Sequence, residues 1–456
     1  MTNYAVVLTA GLGTRMSVNM PKCAHQILKK PMAKYVVDAI DNSLIDKKIL
    51  VVNHESQNIF YDIFHDEVTY AIQKNQLGTG DALRSAFPYI DDLEGFTLVL
   101  PGDIPLLNYE ELISFVKMHR ERDFDISVLT MYINEPAAYG RIIRQNGNIV
   151  TIREKNKARD EELLIKEVNT GIYCIKNKVI KNLLPEDDGS ICHLSHIIET
   201  ALSKNYTVNT FVSYNESYYY DVNDYYTLSI VEKIIKTNTN KKHLLNGVNI
   251  ISPETVTISS EVKIEPGVTI YPNTFITGKS IINHGAIIGP DSELHNAIVA
   301  SNAIIRHSLV TDSSVGENTT VGPFAHLRNN TEVANNCRIG NFVELKNSHI
   351  GKGTKISHLT YLGDTNCGEN VNWGCGCVTV NYDGKYKNKT TVGDNVFIGC
   401  NTNLIAPISV GNNVFIAAGS TITDDIPDQA FSIARVRQIT KEDYATKYSY
   451  TKKNDN

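Results

Sequence analysis

Residues 391–422 read TVGDNVFIGCNTNLIAPISVGNNVFIAAGSTI, and an aliphatic residue stands at every sixth position of this stretch. An α-helix repeats every 3.6 residues and an ordinary strand every two, so neither explains a period of six. A six-residue period is typical of a parallel β-helix, in which short strands alternate with tight corners and each aliphatic side chain points inward. The stretch therefore predicts a left-handed parallel β-helix of hexapeptide repeats.

The same period extends through the second half of the chain. Its aliphatic positions are Ile258, Ile264, Ile270, Ile276, Ile282, Ile288, Leu294, Val315, Val321, Leu327, Val333, Ile339, Leu345, Ile350, Ile356, Leu362, Val392, Ile398, Leu404, Val410, Ile416 and Ile422. Glycines such as Gly340 and Gly399 follow directly, and we expect them at tight corners. We assign residues 247–435 to the β-helix, 227–246 to a linker helix and 436–456 to a polar tail. Flat solenoid faces often pack against copies of themselves, so we expect a homo-oligomer, most of all a homotrimer.

Composition and charge exclude several classes of protein. The net charge of −6 gives no general attraction for nucleic acid or an anionic membrane surface. No run of about 18 apolar residues exists, so we expect no membrane insertion. The first nine residues form a short apolar strand without a basic leader, which favours a cytosolic protein.

Eight cysteines are scattered along the chain, and only Cys375 and Cys377 stand close together. This pair lacks the two-residue gap of a zinc knuckle and has no second pair to complete a site. We interpret the cysteines as free reduced thiols, and a metal site at this pair is the alternative.

The first 226 residues alternate apolar strands with amphipathic helices. Strands are predicted at residues 4–9, 49–53, 97–100 and 126–130, and helices at residues 32–42, 80–86 and 110–121. Strand–helix alternation predicts a mainly parallel α/β sheet that binds ligands at the carboxyl ends of its strands.

A glycine-rich loop follows the first predicted strand. Residues 8–16 read LTAGLGTRM, and Lys22 stands close downstream of Arg15. Glycines after a strand let backbone N–H groups approach phosphates, and two cations suit a triphosphate whose leaving pyrophosphate gains negative charge. The loop lacks the Gly-Lys-Ser/Thr of a Walker A motif and the G-x-G-x-x-G of dinucleotide binders. A plain tight turn is the alternative interpretation.

Further polar segments follow in an order that suits a sugar-phosphate pocket. Gly102-Asp103 comes after a predicted strand, where a carboxylate can hold Mg²⁺ bound to phosphates. The other segments are QKNQLGTG at 73–80, YGRI at 139–142, EK at 154–155 and VNTGI at 168–172. Each segment alone could be a surface loop, but together they resemble the sugar-1-phosphate nucleotidyltransferases.

One stretch of the predicted β-helix breaks the plain repeat. Residues 357–364 read SHLTYLGD, and NVNWG at 370–374 and NYDG at 381–384 follow. The repeat is interrupted over residues 376–391, which predicts a projecting loop. A histidine beside such a loop can act as a general base, and Arg328 and Lys346, one or two coils earlier, could hold a phosphate near it. The alternative is an ordinary surface histidine.

Taken together, the two halves resemble the bacterial family of bifunctional N-acetylglucosamine-1-phosphate uridylyltransferases/glucosamine-1-phosphate N-acetyltransferases. GNFVELK at 340–346 and SHLTYLGD at 357–364 carry the second half of the resemblance, which covers about residues 4–440. It implies an α/β nucleotidyltransferase domain with a Rossmann-like mixed sheet over residues 1–226, followed by the β-helix as the acetyltransferase domain. It also implies a trimeric cytoplasmic enzyme of bacterial cell-envelope synthesis.

The resemblance further implies a role for individual residues. In the first domain, Arg15 and Lys22 would be catalytic, and Leu8, Thr9, Ala10, Gly11, Lys22, Gln73, Gly78 and Thr79 would bind UTP. Asp103 and Asn223 would bind Mg²⁺, and Gly140, Glu154, Asn169 and Asn223 would hold N-acetylglucosamine 1-phosphate. In the β-helix, His358 would be the catalytic base, and Arg328, Lys346, Tyr361 and Asn372 would hold glucosamine 1-phosphate. Acetyl-CoA would be bound by Cys375, Asn381, Tyr382, Cys400, Ala418 and Arg435.

The chain departs from the family's pattern at four positions. They are Pro101 where an aromatic residue is familiar, Cys375 for alanine, Cys400 for serine and His326 for arginine. None of them removes a charged or titrating residue named above. The two cysteines would make the acetyl-CoA site sensitive to thiol reagents.

Two other functions fit parts of the sequence. In the first, the chain is a sugar nucleotidyltransferase with one activity, and the β-helix only assembles or regulates it. In the second, a hexapeptide scaffold binds sugar nucleotides without turnover. His358 and Lys346 argue against the first alternative, because a purely structural tail needs neither. Arg15, Lys22 and Asp103 argue against the second.

Overall fold

The computed structural model describes residues 1–11, 13, 16, 20–40, 44–136, 138–184 and 189–447. The chain divides into two compact units, Met1–Lys236 and a second one that begins at Thr237. This division falls within the last long helix, which runs from Tyr225 to Leu245. The helix begins two residues before the predicted linker and ends one residue before its end.

The described residues of the first unit form eleven strands, with helices between most of them. The strands are β1 (Tyr4–Leu8), β2 (Gln26–Ile27), β3 (Lys30–Pro31), β4 (Lys47–Val52), β5 (Thr69–Ile72), β6 (Phe96–Pro101), β7 (Ile126–Tyr132), β8 (Arg141–Gln145), β9 (Asn148–Arg153), β10 (Glu167–Lys176) and β11 (Val208–Ser213). The helices are α1 (Met32–Asp38), α2 (Gln57–Phe64), α3 (Thr79–Ala86), α4 (Tyr109–Glu121), α5 (Asp160–Leu163), α6 (Asn177–Leu183), α7 (Ile197–Ser203) and α8 (Tyr225–Leu245). The four predicted strands and three predicted helices are all present. The first helix ends at Asp38, earlier than predicted, and residues 41–42 of that prediction lie outside the described residues.

The large sheet of this unit is mixed, in the order β11-β7-β10-β6-β1-β4-β5. All neighbours are parallel except β10, which is antiparallel to β6 and β7, and the β8–β9 hairpin extends from β10. In β1, Ala5 and Val7 pack into one hydrophobic core, while Tyr4 and Val6 pack into another. Because side chains alternate along a strand, these two cores lie on opposite faces of the sheet. Leu8 is in register with Pro101, so the loops after β1 and β6 are neighbours.

The second unit is a left-handed parallel β-helix, as predicted, and three parallel sheets form its sides. The first sheet contains β12 (Asn249–Ile250), β15 (Thr269–Ile270), β18 (Ile287–Ile288), β21 (Ile304–Ile305), β24 (Thr320–Val321), β27 (Arg338–Asn341), β30 (Lys355–His358), β33 (Asn372–Trp373), β36 (Phe397–Ile398), β39 (Phe415–Ile416) and β41 (Phe431–Ser432). The second contains β13 (Thr257–Ile258), β16 (Phe275–Thr277), β19 (Glu293–His295), β22 (Leu309–Thr311), β25 (His326–Arg328), β28 (Glu344–Lys346), β31 (Tyr361–Gly363), β34 (Val378–Val380), β37 (Asn403–Ile405) and β40 (Thr421–Ile422). The third contains β14 (Lys263–Ile264), β17 (Ile281–Ile282), β20 (Ile298–Val299), β23 (Ser314–Val315), β26 (Glu332–Val333), β29 (His349–Ile350), β32 (Thr365–Cys367), β35 (Thr390–Val392) and β38 (Ile408–Val410).

Every aliphatic position of the six-residue period faces the interior of the β-helix. All of them are buried except Ile264, which is half-buried and packs against the same core. Most short strands contribute one such side chain to the interior, and a second buried set two residues earlier, such as Val256, Val268 and Val396, completes the core. Burial of these residues along all three sides explains the period.

Most of the glycines after these positions are required for their small size rather than for a positive φ, whereas Gly322 does have a φ of 101°, as expected at a tight corner. Left-handed corners are occupied largely by asparagines such as Asn318, Asn336 and Asn395, whose φ angles lie between 55° and 59°. Asparagine tolerates this conformation better than other residues with a side chain. Gly340 is instead required by close approach, since a Cβ there would overlap the carbonyl oxygen of Ser357 in the next coil.

The projecting loop is shorter than predicted. Strand β34 runs to Val380 and β35 begins at Thr390, so the insertion covers residues 381–389 rather than 376–391. An antiparallel bridge between Tyr382 and Lys387 closes it on itself. Elsewhere, no helix in the part of the chain described by the structure is long and apolar enough to cross a membrane.

Candidate active sites

A cavity of about 570 Å³ opens at the carboxyl ends of β1 and β6 in the first unit. Ten of the residues predicted to bind nucleotide, metal or sugar line it: Leu8, Gly11, Lys22, Gln73, Gly78, Thr79, Asp103, Gly140, Glu154 and Asn169. These residues come from seven separate segments of the chain. The topology therefore brings together what the sequence separates.

Among the described residues of the loop after β1, Gly11 lines this cavity. Gly11 is exposed, and a Cβ at this position would meet no atom within 4 Å, so the backbone is open to a ligand. Thr9 is buried, and its hydroxyl donates to the carbonyl oxygen of Val51 at 2.7 Å. Ala10 is also buried, which leaves both residues to hold the loop in place. Arg15 lies outside the described residues.

Lys22 is the central cation of the cavity. Its Nζ donates to Oδ2 of Asp103 at 2.5 Å and to Oδ1 of Asn223 at 2.7 Å. The two residues predicted to bind Mg²⁺ therefore direct their oxygens at one positively charged atom. Mg²⁺ prefers hard oxygen ligands, usually one or two carboxylates together with phosphate and water. This donor set fits the metal.

Asp221 and Tyr139 extend this polar network, and the sequence did not single out Asp221. Its Oδ1 accepts from the Tyr139 hydroxyl at 2.7 Å, and its Oδ2 accepts from the Asn223 amide. Burial and the neighbouring Asp221 charge raise the pKa of Tyr139. The phenol therefore stays a hydrogen-bond donor, and Asp221 orients Asn223 toward Lys22.

The second glycine-bearing loop has an unusual backbone conformation at Gly78. Gly78 has a φ of 105° and precedes α3, and a Cβ at this position would overlap the carbonyl oxygen of Cys192. The Gln73 amide donates to Asp81 Oδ2 at 2.8 Å and to Gly78 O at 3.1 Å. Thr79 accepts from the backbone of Leu194 at 3.0 Å. These bonds fix the loop that was predicted to read the uracil base.

A bulge in β10 shapes the predicted sugar side of the cavity. The pairing of β10 with β7 shifts between Asn169 and Ile172, and Gly171 within the bulge has a φ of 80°. A Cβ on Gly171 would lie 2.9 Å from Cγ of Pro101, so the proline ring packs closely against this turn. The Asn169 amide donates to Tyr173 Oη at 2.8 Å.

Two further residues of the sugar side lie next to each other. The carbonyl oxygen of Gly140 accepts from the Asn169 N–H at 2.9 Å. A Cβ on Gly140 would lie 3.6 Å from Oε1 of Glu154, which places that carboxylate beside an open backbone. All three residues line the cavity together.

His358 stands exposed at the end of β30 in the β-helix. Its Nδ1 lies 2.5 Å from Oδ1 of Asn341, the residue in register on the preceding coil. An amide oxygen can only accept, so this contact places the ring proton on Nδ1 and leaves the lone pair of Nε2 free. A neutral histidine in this tautomer can take a proton from a substrate. The sequence did not predict the role of Asn341.

The two cations predicted to hold the sugar phosphate are also neighbours in register. The Arg328 guanidinium donates to Oε1 of Glu344 at 2.7 to 2.8 Å. Lys346 is buried, and its Nζ donates to both carboxylate oxygens of Asp364, at 2.9 and 3.0 Å. Both cations are thus held in place by carboxylates from the following coil.

Asp364 is the centre of a polar cluster beside the projecting loop. Its carboxylate also accepts from the amides of Asn347 at 2.6 Å and of Asn381 at 2.5 Å. Burial alone would raise the pKa of Asp364, but the hydrogen bonds from Asn347, Lys346 and Asn381 outweigh it and hold the pKa below its usual value. The first residue of the loop is thereby tied to the predicted phosphate-binding lysine.

The remaining predicted residues of the second site occupy the same coils. Tyr361 is in register with Glu344, and its hydroxyl crowds the backbone of Gly363, where no Cβ could fit. Asn372 is half-buried on β33, the strand that pairs with the strand of His358 in the same sheet. Tyr382 is exposed on the projecting loop, and its hydroxyl donates to the carbonyl oxygen of Gly384 at 2.7 Å.

Three of the six residues predicted to bind acetyl-CoA form a column along one corner of the β-helix. Cys375, Cys400 and Ala418 each precede a residue with positive φ on successive coils, as Asn341 and His358 do. The Asn401 N–H donates to Cys375 O, and the Gly419 N–H donates to Cys400 O, both at 2.8 Å. The column therefore continues directly from His358. Arg435 is exposed, and its Cδ would lie 3.8 Å from a Cβ on Gly419.

Sequence comparison agrees with this division of the chain. Residues 4–229 match the family model for nucleotidyl transferases. Residues 312–347 and 389–424 match the model for the bacterial transferase hexapeptide, which describes six repeats. The first model spans the first candidate site, and the second spans Arg328, Lys346, Cys400 and Ala418 of the second site, while His358 lies between its two matched segments.

Relatives of known name cover nearly the whole chain. The Bifunctional protein GlmU of Acholeplasma laidlawii (strain PG-8A) is 49% identical over 450 residues, which cover 98% of this chain and 97% of the relative. The protein of the same name from Geobacillus sp. (strain WCH70) is 42% identical over 98% of this chain and 99% of its own length. That from Brevibacillus brevis is 41% identical over 97% of both chains. The chain belongs to the family of the bifunctional GlmU proteins.

Proposed function

We propose that this chain is a bifunctional enzyme of UDP-N-acetylglucosamine synthesis. The β-helix transfers the acetyl group of acetyl-CoA to the amine of glucosamine 1-phosphate. The first unit transfers a uridylyl group from UTP to N-acetylglucosamine 1-phosphate and releases pyrophosphate. The observation that carries this proposal is the contact between Nδ1 of His358 and Oδ1 of Asn341, since a β-helix that only assembled the enzyme would need no oriented base.

Acetyl transfer requires a base because an amine is mostly ammonium at neutral pH. His358 Nε2 takes a proton from the 2-amino group, and the freed amine attacks the thioester carbonyl. The bond from Nδ1 to Asn341 keeps Nε2 unprotonated before the reaction and strengthens when the imidazolium forms. The thioester carbon–sulfur bond then breaks, the protonated His358 gives its proton to the CoA sulfur, and CoA leaves as the thiol while the second proton of the amine passes to solvent.

Lys346 and Arg328 supply the positive charge for the sugar phosphate. An ammonium has three N–H donors, and Asp364 takes two of those of Lys346, so a third remains for a phosphate oxygen. The Asn381 amide has two N–H donors and gives one to Asp364. The other is free to donate to the oxyanion that develops on the thioester carbonyl.

Uridylyl transfer needs no general base, because the attacking phosphate oxygen is already anionic. The step depends on positioning and on neutralising the charge of the pyrophosphate that leaves. Lys22 binds the phosphates from inside the cavity, while the Gln73 loop and the bulge at Asn169 hold the base and the sugar at either side. Asp103 and Asn223 would hold Mg²⁺, which supplies charge neutralisation on the triphosphate.

We also infer that three copies of the chain assemble and that the enzyme acts in the bacterial cytoplasm. The flat faces of the hexapeptide β-helix support assembly of identical copies. The substrates UTP and acetyl-CoA support the location, because both are cytoplasmic metabolites. The sedimentation behaviour of the purified chain tests the first inference directly.

The two half-reactions test the proposal when they are measured separately. His358→Ala should lower acetyl transfer by about 10² to 10⁴, the usual contribution of a general base, and leave uridylyl transfer intact. Asp103→Asn should do the reverse. His349→Ala is the matched control, because His349 is another exposed histidine of the β-helix whose ring faces Glu332 instead.

The same assays separate the alternatives. If the wild-type chain uses N-acetylglucosamine 1-phosphate but never acetylates glucosamine 1-phosphate, the β-helix is only structural. If it binds UTP and never releases pyrophosphate, it is a scaffold. If His358→Ala lowers both activities equally, the assignment of one reaction to each unit is wrong.

A further inference from the structure

The eight cysteines differ clearly in how accessible they are to solvent. All eight lie in the described part of the chain, and six are buried: Cys23, Cys174, Cys192, Cys337, Cys367 and Cys377. Cys400 is exposed and Cys375 is half-buried. These are the two cysteines that follow His358 in the corner column of the β-helix. Accessible thiols and the second candidate site therefore coincide.

Cys375 and Cys400 are direct neighbours on successive coils. Trp373 is in register with Ile398, and the two cysteines each stand two residues further along. A Cβ on Gly374 would lie 2.8 Å from the Cα of Cys400, which shows how closely the two corners stack. Neighbouring strands lie about 4.8 Å apart, and disulfides join Cα atoms that are about 4.4 to 6.8 Å apart. The spacing of the coils suits a disulfide between them.

Buried Cys377 provides a contrast on the same coil. Burial raises the pKa of its thiol to about 11, and its Sγ donates to the carbonyl oxygen of Gly399 at 3.2 Å. A thiol must lose its proton to react with a disulfide, and an attacking reagent must reach it. Cys377 meets neither condition, although it is only two residues from Cys375.

We propose that Cys375 and Cys400 form a redox pair that is oxidised to a disulfide by oxidised CoA, the disulfide of two CoA molecules, and that this disulfide stops acetyl transfer. The inference rests on the proposed acetyl-CoA site, because binding at that site delivers the CoA sulfur to this corner. The released product of acetyl transfer is itself a thiol at the same place. The pair therefore senses whether the CoA supply is reduced or oxidised.

The exchange proceeds in two balanced steps. The thiolate of Cys400, the more exposed residue, attacks one sulfur of CoA disulfide; the CoA–CoA bond breaks, and one CoA leaves and takes up a proton. The thiolate of Cys375 then attacks Sγ of Cys400, and the second CoA leaves with a second proton. Two protein thiols lose two electrons and two protons, and the CoA disulfide gains both to become two CoA thiols.

The experiment uses the full chain, fully reduced and then freed of reductant. It is incubated with CoA disulfide, and in parallel with diamide, a general thiol oxidant that needs no CoA site. Intact-mass spectrometry, titration of released CoA thiol and both half-reactions are the readouts. We expect the wild type to lose two hydrogen masses, release two CoA per chain and lose acetyl transfer. Uridylyl transfer should be unchanged, and dithiothreitol should restore the lost activity.

A single variant and a double variant separate the two steps. Cys375→Ser keeps the attacking thiol and should stop at the mixed disulfide, with one CoA attached and one released. Cys375→Ser/Cys400→Ser should gain no CoA. Each variant is compared with its own reduced form, so any change in its basal activity does not affect the result. The six buried cysteines are the internal control, since they should react only after denaturation.

Two results would overturn the proposal. The pair is not a redox pair if the wild type keeps both thiols under diamide, or keeps one bound CoA as Cys375→Ser does. CoA disulfide is not the oxidant if diamide forms the disulfide and CoA disulfide does not. Failure of the proposed function would look different, because the fully reduced wild type would then show no acetyl transfer at all.

Discussion

Asn341 offers the sharpest test of how the β-helix performs chemistry. Its amide oxygen lies 2.5 Å from Nδ1 of His358 and accepts a hydrogen bond from it, which leaves Nε2 free to act as the base. Asn341→Ala removes the acceptor and leaves His358 in place. Because the histidine is exposed, its ring would then rotate and exchange tautomers freely.

The expected magnitude follows from the change in charge during the reaction. A hydrogen bond to a neutral partner contributes about 1 kcal/mol, and one to a charged partner about 1.5 to 3 kcal/mol. The imidazolium that forms in the transition state therefore gains about 0.5 to 2 kcal/mol from Asn341 relative to the neutral ring. Each 1.36 kcal/mol is tenfold in rate, so Asn341→Ala should lower kcat for acetyl transfer by about 2- to 30-fold.

Steady-state acetyl transfer, measured as CoA release across pH, is the assay. Asn341→Asp should move the acid limb of the pH–rate profile to higher pH, because a carboxylate stabilises the imidazolium and the base must be neutral to act. Asn366→Ala is the matched control, since Asn366 is an exposed asparagine in register with the exposed His349 on another side of the β-helix. Uridylyl transfer serves as the internal control for folding.

Either of two results would contradict this role of Asn341. Asn341→Ala could leave kcat within the range of the Asn366→Ala control, in which case the tautomer does not matter for the reaction. Alternatively, Asn341→Asp could leave the pH–rate profile unmoved. In that case the residue would not be acting through the histidine.

Three further predictions address the two units. Gly171→Ala should raise KM for the sugar phosphate in uridylyl transfer and leave acetyl transfer unchanged. The reason is that a Cβ at this position is strained at a φ of 80° and lies 2.9 Å from Pro101. Equal kinetics in wild type and variant would contradict the role of the bulge. The lowered pKa of Asp364 means that its ionised form stabilises the fold above the usual aspartate pKa, and that this stability is lost as pH falls through the folded value. Asp364→Asn should therefore melt below the wild type at pH 6, and the gap in Tm should shrink below pH 4; a gap independent of pH would argue against the ion pair. Ile398→Ala should cost about 2 to 5 kcal/mol of unfolding free energy in chemical denaturation, against at most about 0.5 kcal/mol for the half-exposed control Ile298→Ala.

The β-helix was predictable because its signal is local. Nearly every strand of each coil places one aliphatic residue inward, so the six-residue pattern stays visible although the coil length varies. The corners were less predictable, since the residue with positive φ is largely asparagine while the glycine two residues before it is fixed by contact with the following coil. Gly340 illustrates this, because Ser357, which limits it, is a neighbour only in three dimensions.

The partners of the site residues could not be read from the sequence. Arg328 lies 16 residues before Glu344, Asn341 lies 17 before His358, and Lys346 lies 18 before Asp364. The in-register offset changes from 18 residues at Arg328 to 17 at Asn341, and the partners of Arg328 and Lys346 are diagonal rather than in register, so counting does not locate a partner.

The first unit presents the same difficulty over longer distances. Lys22 contacts residues 81 and 201 positions away, and only the folded sheet and the segment before α8 bring them together. Motif order identified Asp103 and Asn223 by resemblance, whereas Asp221, which orients Asn223, carries no local signal. Its position two residues before Asn223 becomes informative only when the side chains can be seen.

We expect one chain to carry two independent working sites. The most direct test is a mass-spectrometric assay of the purified protein with glucosamine 1-phosphate, acetyl-CoA, UTP and Mg²⁺, repeated without acetyl-CoA but with N-acetylglucosamine 1-phosphate. We expect UDP-N-acetylglucosamine in both reactions. Product only from the pre-acetylated sugar would contradict it, since the β-helix would then have no catalytic role.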